Sequence, residues 1–279
     1  MKRYLLLFLL AALACSCNDS TDDNPFRTGS ETQQPVSADE ILPRRLVSVD
    51  VTSTGNFSYS ETYAYDEQGR LTSFTNTSSS AEAYSRITNY TYTDNTIIEG
   101  KKTYNLQNGR VVSAREERDS EEDVWAETTF GYDAAGYLTS LSFLTSYDFK
   151  YDCAVTYTAD GVSFKSWGDG GDETLIIEFD RERLNNLTFD FYGRFCDGPS
   201  EFDYNQARLL GICGQRLRYL PAMETTISPY EKEGQQYTDK YVYRYVYHMD
   251  GDYLAEVEIY SSYNDEPEGE PERIVFHYE

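Results

Sequence analysis

Tyr63-Ala64-Tyr65-Asp66-Glu67-Gln68-Gly69-Arg70-Leu71 is the stretch on which the fold of this chain turns. Two tyrosines and a leucine flank a short polar corner. Successive side chains of an extended strand point to opposite faces, so Tyr63 and Tyr65 share one face. The aspartate carboxylate bonds backbone groups just ahead of it and starts a turn, and glycine takes the positive φ that the return strand needs. The spelling is strand, tight turn, strand. It recurs at Phe130-Gly131-Tyr132-Asp133-Ala134-Ala135-Gly136-Tyr137-Leu138 and, more loosely, from Tyr104 to Val111, Tyr157 to Val162 and Tyr245 to Leu254. Phe179 to Leu184 reads as a degenerate copy without glycine. Further turn signals at Asp94-Asn95, Asp119 to Asp123 and Asp148 to Lys150 are expected at the opposite ends of the strands. The result is an up-and-down antiparallel meander of roughly twelve to fourteen strands.

Period two holds along most of the chain. Tyr151, Cys153, Val155 and Tyr157 share a face, as do Leu175, Ile177 and Phe179, and Ile274, Phe276 and Tyr278. The 26 Tyr and 14 Phe, against 3 Met, favour pleated half-buried surfaces over helices. Asn205 to Gly214 lacks the alternation. It predicts one short helix or helical turn, with Asp203 or Asn205 as its cap, packed on a face of the sheet. The fold class is mainly all-β, with the sheet strongly curved.

The amino terminus is read separately. Lys2 and Arg3 precede the apolar run Leu5 to Ala14, which is too short to cross a bilayer as a helix and suits a secretory signal. Ala14-Cys15-Ser16-Cys17 follows at once and resembles the lipobox of bacterial lipoproteins. Cys17 is the favoured acylation site, with Cys15 as the alternative; an ordinary secretory cut after Ala14 also satisfies the small-residue rule. Residues 1–17 are thus the signal, 18–40 a flexible acidic tether poor in apolar residues, and 41–279 a single antiparallel β domain. These features place the chain in the cell envelope, anchored to a membrane through lipid, with the outer membrane expected and the periplasmic or surface side open.

Charge narrows the partners. The chain carries 24 basic and 48 acidic residues, a formal charge of −24. Such a surface is repelled by nucleic-acid phosphates, and no basic stripe offsets it, so nucleic acid is excluded as a partner.

The two clearest hairpins resemble the tyrosine–aspartate repeats of Rhs-type shell proteins, written Y-x-Y-D-x-x-G-R-L. Tyr63, Tyr65, Asp66, Gly69, Arg70 and Leu71 match in full, whereas Tyr137 replaces the arginine in the second copy. The signal, the tether, the hairpins and the stretch from Leu209 to Pro221 together resemble a family of lipoproteins from gut anaerobes, a domain of unknown function with a porter-like fold. That resemblance implies a half-barrel similar to the periplasmic lipoprotein carriers LolA and LolB, and it implies no catalytic residues.

Few residues could carry chemistry. His248 and His277 are the only histidines, both in expected strands, and no C-x-x-C or H-x₃-H spacing is present, so no metal and no cofactor is expected. Cys153, Cys196 and Cys213 remain after the lipidated thiol; a Cys196–Cys213 disulfide and three reduced core thiols are both open. Acidic runs at Glu116 to Asp123, Asp169 to Glu173 and Asn264 to Glu272 lack the calcium-loop ligand spacing and read as solvated loops. Tyr241, Tyr243, Tyr245 and Tyr247 fall on one face of a strand. They either line a ligand-binding wall or hold the sheet together by cross-strand aromatic packing. The expected function is that of a non-catalytic envelope lipoprotein binding an apolar or glycan ligand, or an envelope protein, on a curved sheet. The alternatives are a scaffold without a small ligand and a glycan hydrolase using a carboxylate pair.

Overall fold

The computed structural model describes residues 44–53, 58–78, 84–119, 124–169, 171–187 and 204–279. The signal, the tether, Cys15, Cys17 and Cys196 lie outside them. The strands begin with β1 (Leu46–Thr52), β2 (Ser58–Tyr65), β3 (Leu71–Ser78), β4 (Ser85–Tyr92), β5 (Thr96–Glu99) and β6 (Lys102–Gln107). There follow β7 (Arg110–Asp119), β8 (Val124–Tyr132), β9 (Leu138–Thr145), β10 (Lys150–Tyr157), β11 (Gly161–Gly168) and β12 (Glu173–Leu184). A short helix, α1 (Tyr204–Leu209), precedes β13 (Tyr219–Lys232), β14 (Gln235–Asp250), β15 (Tyr253–Tyr263) and β16 (Glu272–Tyr278).

Each strand pairs antiparallel with its sequence neighbours, and β1 pairs with β16, so the sixteen strands close into a barrel. The expected half-barrel, and with it the LolA-like and LolB-like shape, is corrected by this last pairing. Val49 faces Phe276 and Val51 faces Ile274, which satisfies the backbone of both terminal strands and leaves no edge.

The polarity of the wall decides what kind of barrel it is. Inward positions are apolar and dry: Val49, Tyr104, Ile177, Val257 and Ile274 are all 0% exposed. Outward positions on the same strands are mostly polar or charged, such as Asp50, Asn105, Glu178, Glu256 and Arg273, with Ile176 and Val275 as apolar exceptions. A round sixteen-stranded wall would leave an aqueous lumen. Here large aromatic and aliphatic side chains fill it at mid-height. A wall that crosses a bilayer needs an outward apolar band roughly 25 Å tall, and this one is inverted.

The turns follow the predicted chemistry. Asp66 accepts from the N–H groups of Gln68 and Arg70, and the Gly69 N–H donates to the Asp66 carbonyl with Gly69 at φ +79°. Asp133 and Gly136 repeat the arrangement, with Asp133 accepting from the Tyr137 N–H.

A longer-range repeat was not legible in the sequence. The Tyr65 hydroxyl donates to the Leu46 carbonyl at 2.9 Å, Tyr92 to Leu71 at 2.8 Å, Tyr132 to Val111 at 2.8 Å and Tyr278 to Leu254 at 2.8 Å. Each acceptor is the first or second residue of the strand before the tyrosine's own. The residue preceding the acceptor covers the ring in three of these latches: Arg45 over Tyr65, Arg70 over Tyr92 and Arg110 over Tyr132. In the fourth, Tyr253 packs on Tyr278. The Y-x-Y-D…R-L spelling thus builds a latched rim, in which the R-L of one hairpin holds the tyrosine of the next.

Three expectations change. The strand count rises to sixteen, in part because β5 has only four residues, too short for a period-two signal. Phe179 to Leu184 is not a turn but the end of β12, continuing through irregular pairing with β13. The Asp94-Asn95 turn joins β4 to β5, so it lies at the same end as Asp66, because two strands separate the two turns.

The predicted helix exists. With the chain that follows it, α1 closes the end that carries the Asp66 and Asp133 turns. The Ile212 carbonyl accepts from the Val111 N–H, the Gly136 carbonyl accepts from the Gln215 N–H, and Ala207, Leu209, Ile212 and Leu217 are buried in the core. This is the plugged end, and Arg44 and Arg45, where the described chain begins, lie there too. The other end is the open end.

Candidate functional site

The four tyrosines singled out in the sequence lie in β14 and face inward. Tyr241 sits opposite Thr226 and Tyr243 opposite Glu224, both buried on the inner face of β13. Tyr245 and Tyr247 are buried and stacked, 6.1 Å apart and nearly parallel. The face therefore runs from a dry interior to the open end, where it changes character.

That change comes from strand length. β13 and β14 have 14 and 16 residues. The neighbouring pairing stops at Thr174 with Ile227 on one side and at Tyr241 with Tyr263 on the other. Residues 228–239 therefore overhang the rim as a two-stranded ribbon. On it Tyr230 and Tyr237 are cross-strand partners with rings stacked at 5.4 Å. At its base Tyr241 and Tyr263 pair at 4.8 Å. Tyr230, Tyr237 and Tyr241 are each 42% exposed and Tyr263 37%. Tyr237 and Tyr241 are four steps apart along the strand, roughly 14 Å at ~3.4 Å per residue.

Polar groups fix these rings. Tyr263 donates to Asp239 at 2.6 Å, and this bond, followed by burial, pushes its pKa up to about 12. Lys240 pairs with Asp265, and Arg244 grips Glu268 with two nitrogens at 2.9 and 2.6 Å. The loop between β15 and β16 is thereby held against the outer side of β14. Sequence reading found Tyr241 and Tyr243 but missed Tyr230, Tyr237 and Tyr263, since nothing local marks where a hairpin outgrows its barrel.

A second feature lies at the plugged end. A cavity of about 360 Å³ is walled by Tyr65, Leu71, Tyr92, Ile97 and Leu106 of the barrel and by Leu209 to Ile212 of the plug. Arg70 and Asp94 add polar atoms to the lining. Burial is the main influence pushing the Tyr92 hydroxyl up to about 12. The only signal in the sequence was the loss of alternation over Leu209 to Gly214.

The remaining candidates are spread apart. His277 is exposed and reaches Asp50 at 2.9 Å on the outer wall. His248, Glu256 and Glu258 cluster on the outer wall with ligand atoms within 4.8 Å, but the Arg273 guanidinium already lies 2.9 Å from Glu258. Cys153 is a buried thiol whose pKa burial pushes up to about 11. Cys213 is buried beside Tyr132.

With this geometry in hand, the comparisons bear on fold. No family model matches the chain, and no curated protein matches it in sequence. The solved structure of a porin-like protein from Bacteroides uniformis superposes with a TM-score of 0.64 at 15% identity, over 86% of this chain and 99% of that one. A porin-like protein from Bacteroides vulgatus gives 0.52 at 14% identity, over 85% and 99%. At these identities the likeness establishes the closed antiparallel barrel and nothing finer.

Proposed function

We propose that this protein is a non-catalytic lipoprotein of the cell envelope, acylated on Cys17, that binds neutral glycan chains along the tyrosine row of the overhanging β13–β14 ribbon. The observation that carries the reading is the pair of exposed aromatic platforms, Tyr230 with Tyr237 on one face of that ribbon and Tyr241 with Tyr263 at its base. A tyrosine ring offers a flat apolar surface with a polar tip, which suits the faces and hydroxyls of a sugar. Asp239 holds the Tyr263 hydroxyl beside the platforms, and the whole chain is strongly acidic, so an anionic polymer is repelled.

The anchor and the row fit one orientation. The tether would join the barrel at Arg44, at the plugged end, which puts the ribbon at the end away from the membrane. The inverted wall favours a barrel standing in water on its tether, held to an outer membrane by its acylated end. A pore, as the description of the similar Bacteroides proteins would suggest, is disfavoured by the dry mid-height side chains Val49, Tyr104 and Ile177.

The test is an array of neutral and anionic oligosaccharides probed with the full chain. Neutral chains should be retained, and Tyr237→Ala with Tyr241→Ala should lose them at unchanged melting temperature. Retention of anionic chains in preference, or full retention by the double variant, would refute the assignment. Acylation is tested separately by fatty-acid labelling of the natural chain and of Cys17→Ser.

A further inference from the structure

The latched rim departs from its pattern at two hairpins, with Leu106 in β6 and Met249 in β14 at the tyrosine's position, and the departure in β6 coincides with the cavity at the plugged end. Tyrosine stands opposite the first inward residue of the next strand at Tyr65, Tyr92, Tyr132, Tyr157 and, across the closure, Tyr278. In β6 the equivalent residue is Leu106, opposite Val111. The covering residue is missing as well: Thr96 precedes Ile97 where Arg45, Arg70 and Arg110 precede Leu46, Leu71 and Val111. Both a phenol ring and a guanidinium are therefore absent from the β6 unit. Leu106 and Ile97 line the cavity of about 360 Å³.

We infer that this cavity is a binding site for a small uncharged aromatic molecule bearing a hydroxyl group, whose ring takes the place of the tyrosine that the repeat omits. The volume falls at the lower end of the range for ligand pockets, about 300–1,000 Å³. The rings of Tyr65 and Tyr92 and the side chains of Leu71, Ile97 and Leu106 supply flat and apolar walls. In the intact units the phenolic hydroxyl donates to the carbonyl of the residue equivalent to Ile97. Arg70 adds donors, and Asp94 an acceptor. Arg70 is already neutralised by Asp66 at 2.7 Å, and the chain is acidic overall, so an anionic ligand gains little. This inference does not depend on the glycan reading, which concerns the opposite end.

The probe is 2-naphthol, titrated calorimetrically into the full chain carrying Cys15→Ser and Cys17→Ser, so that neither acyl chains nor detergent compete. One saturable site of sub-millimolar affinity is expected. Naphthalene, which lacks the hydroxyl, should bind about fivefold more weakly, the loss of one hydrogen bond. Leu106→Tyr restores the repeat: it should weaken 2-naphthol at least tenfold and raise the ligand-free melting temperature by about 2–4 °C, as for a gain of about 1 kcal/mol in a chain of this size. If Leu106→Tyr does not fold, Leu210→Trp fills the same cavity from the plug and should block binding alike. Absence of saturable binding, equal affinity for naphthalene, or undiminished binding to the filled variant would overturn the assignment.

Discussion

Removing three hydroxyl groups from the plugged end should loosen the whole barrel measurably. Tyr65→Phe, Tyr92→Phe and Tyr132→Phe each keep the ring, its burial and its covering arginine, and delete only the donor to a carbonyl 2.8–2.9 Å away. A single such bond contributes about 1 kcal/mol net, with the stranded carbonyl adding to the cost where water cannot reach it. The latches sit two or more strands apart, roughly 10 Å at ~4.8 Å per strand, so their losses should add. The triple variant should lose about 3–4 kcal/mol. For a domain of this size that corresponds to a fall in melting temperature of roughly 6–15 °C. The assay is thermal unfolding followed by circular dichroism and tyrosine fluorescence, with each single variant measured beside the triple. A triple variant within 1 °C of the natural chain would show that the latches are incidental contacts and that side-chain burial alone closes the rim.

Two further predictions follow from single positions. Burial raises the pKa of Glu272, so its charged form is disfavoured in the folded chain; Glu272→Gln should be more stable than the natural protein at pH 8, and the difference should shrink as pH falls through the raised native value towards the unfolded one, read from melting curves across pH 4–8. Gly214 takes φ +82°, and a Cβ there would lie 2.5 Å from the Gly136 carbonyl oxygen and 2.7 Å from the Tyr132 ring; Gly214→Ala should lift the plug and expose the Val111 and Gln215 amides to hydrogen exchange, whereas unchanged protection would contradict its seating.

Much of the local structure was legible and most of the global structure was not, for physical reasons. Asp66 and Gly69 announce their turn because the bonds involved span four residues. Tyr241 and Tyr243 announce their face because alternation is a property of the backbone. Closure depends on Val49 meeting Phe276, and nothing within either strand specifies so distant a partner. The filled interior likewise could not be read: alternation gives one apolar face whether the sheet stays open, forms a half-barrel or closes. The latches needed a tyrosine hydroxyl to reach a carbonyl 19–24 residues upstream, which no local spelling reports. The cavity was hidden for the same reason, since Leu106 is unremarkable until its neighbours in the repeat are known.

Closure of the wall is the claim on which the sites at both ends rest, and a cross-link tests it most directly. Asp50 and Val275 are register partners on the outer faces of β1 and β16. Partner Cα atoms in an antiparallel pair lie about 4.5–5.5 Å apart, within disulfide reach. The Asp50→Cys, Val275→Cys pair should oxidise to a single disulfide, mapped by peptide mass spectrometry, without loss of melting temperature. Both thiols remaining freely alkylated in the folded chain would mean that the terminal strands do not meet, and that the sheet is open.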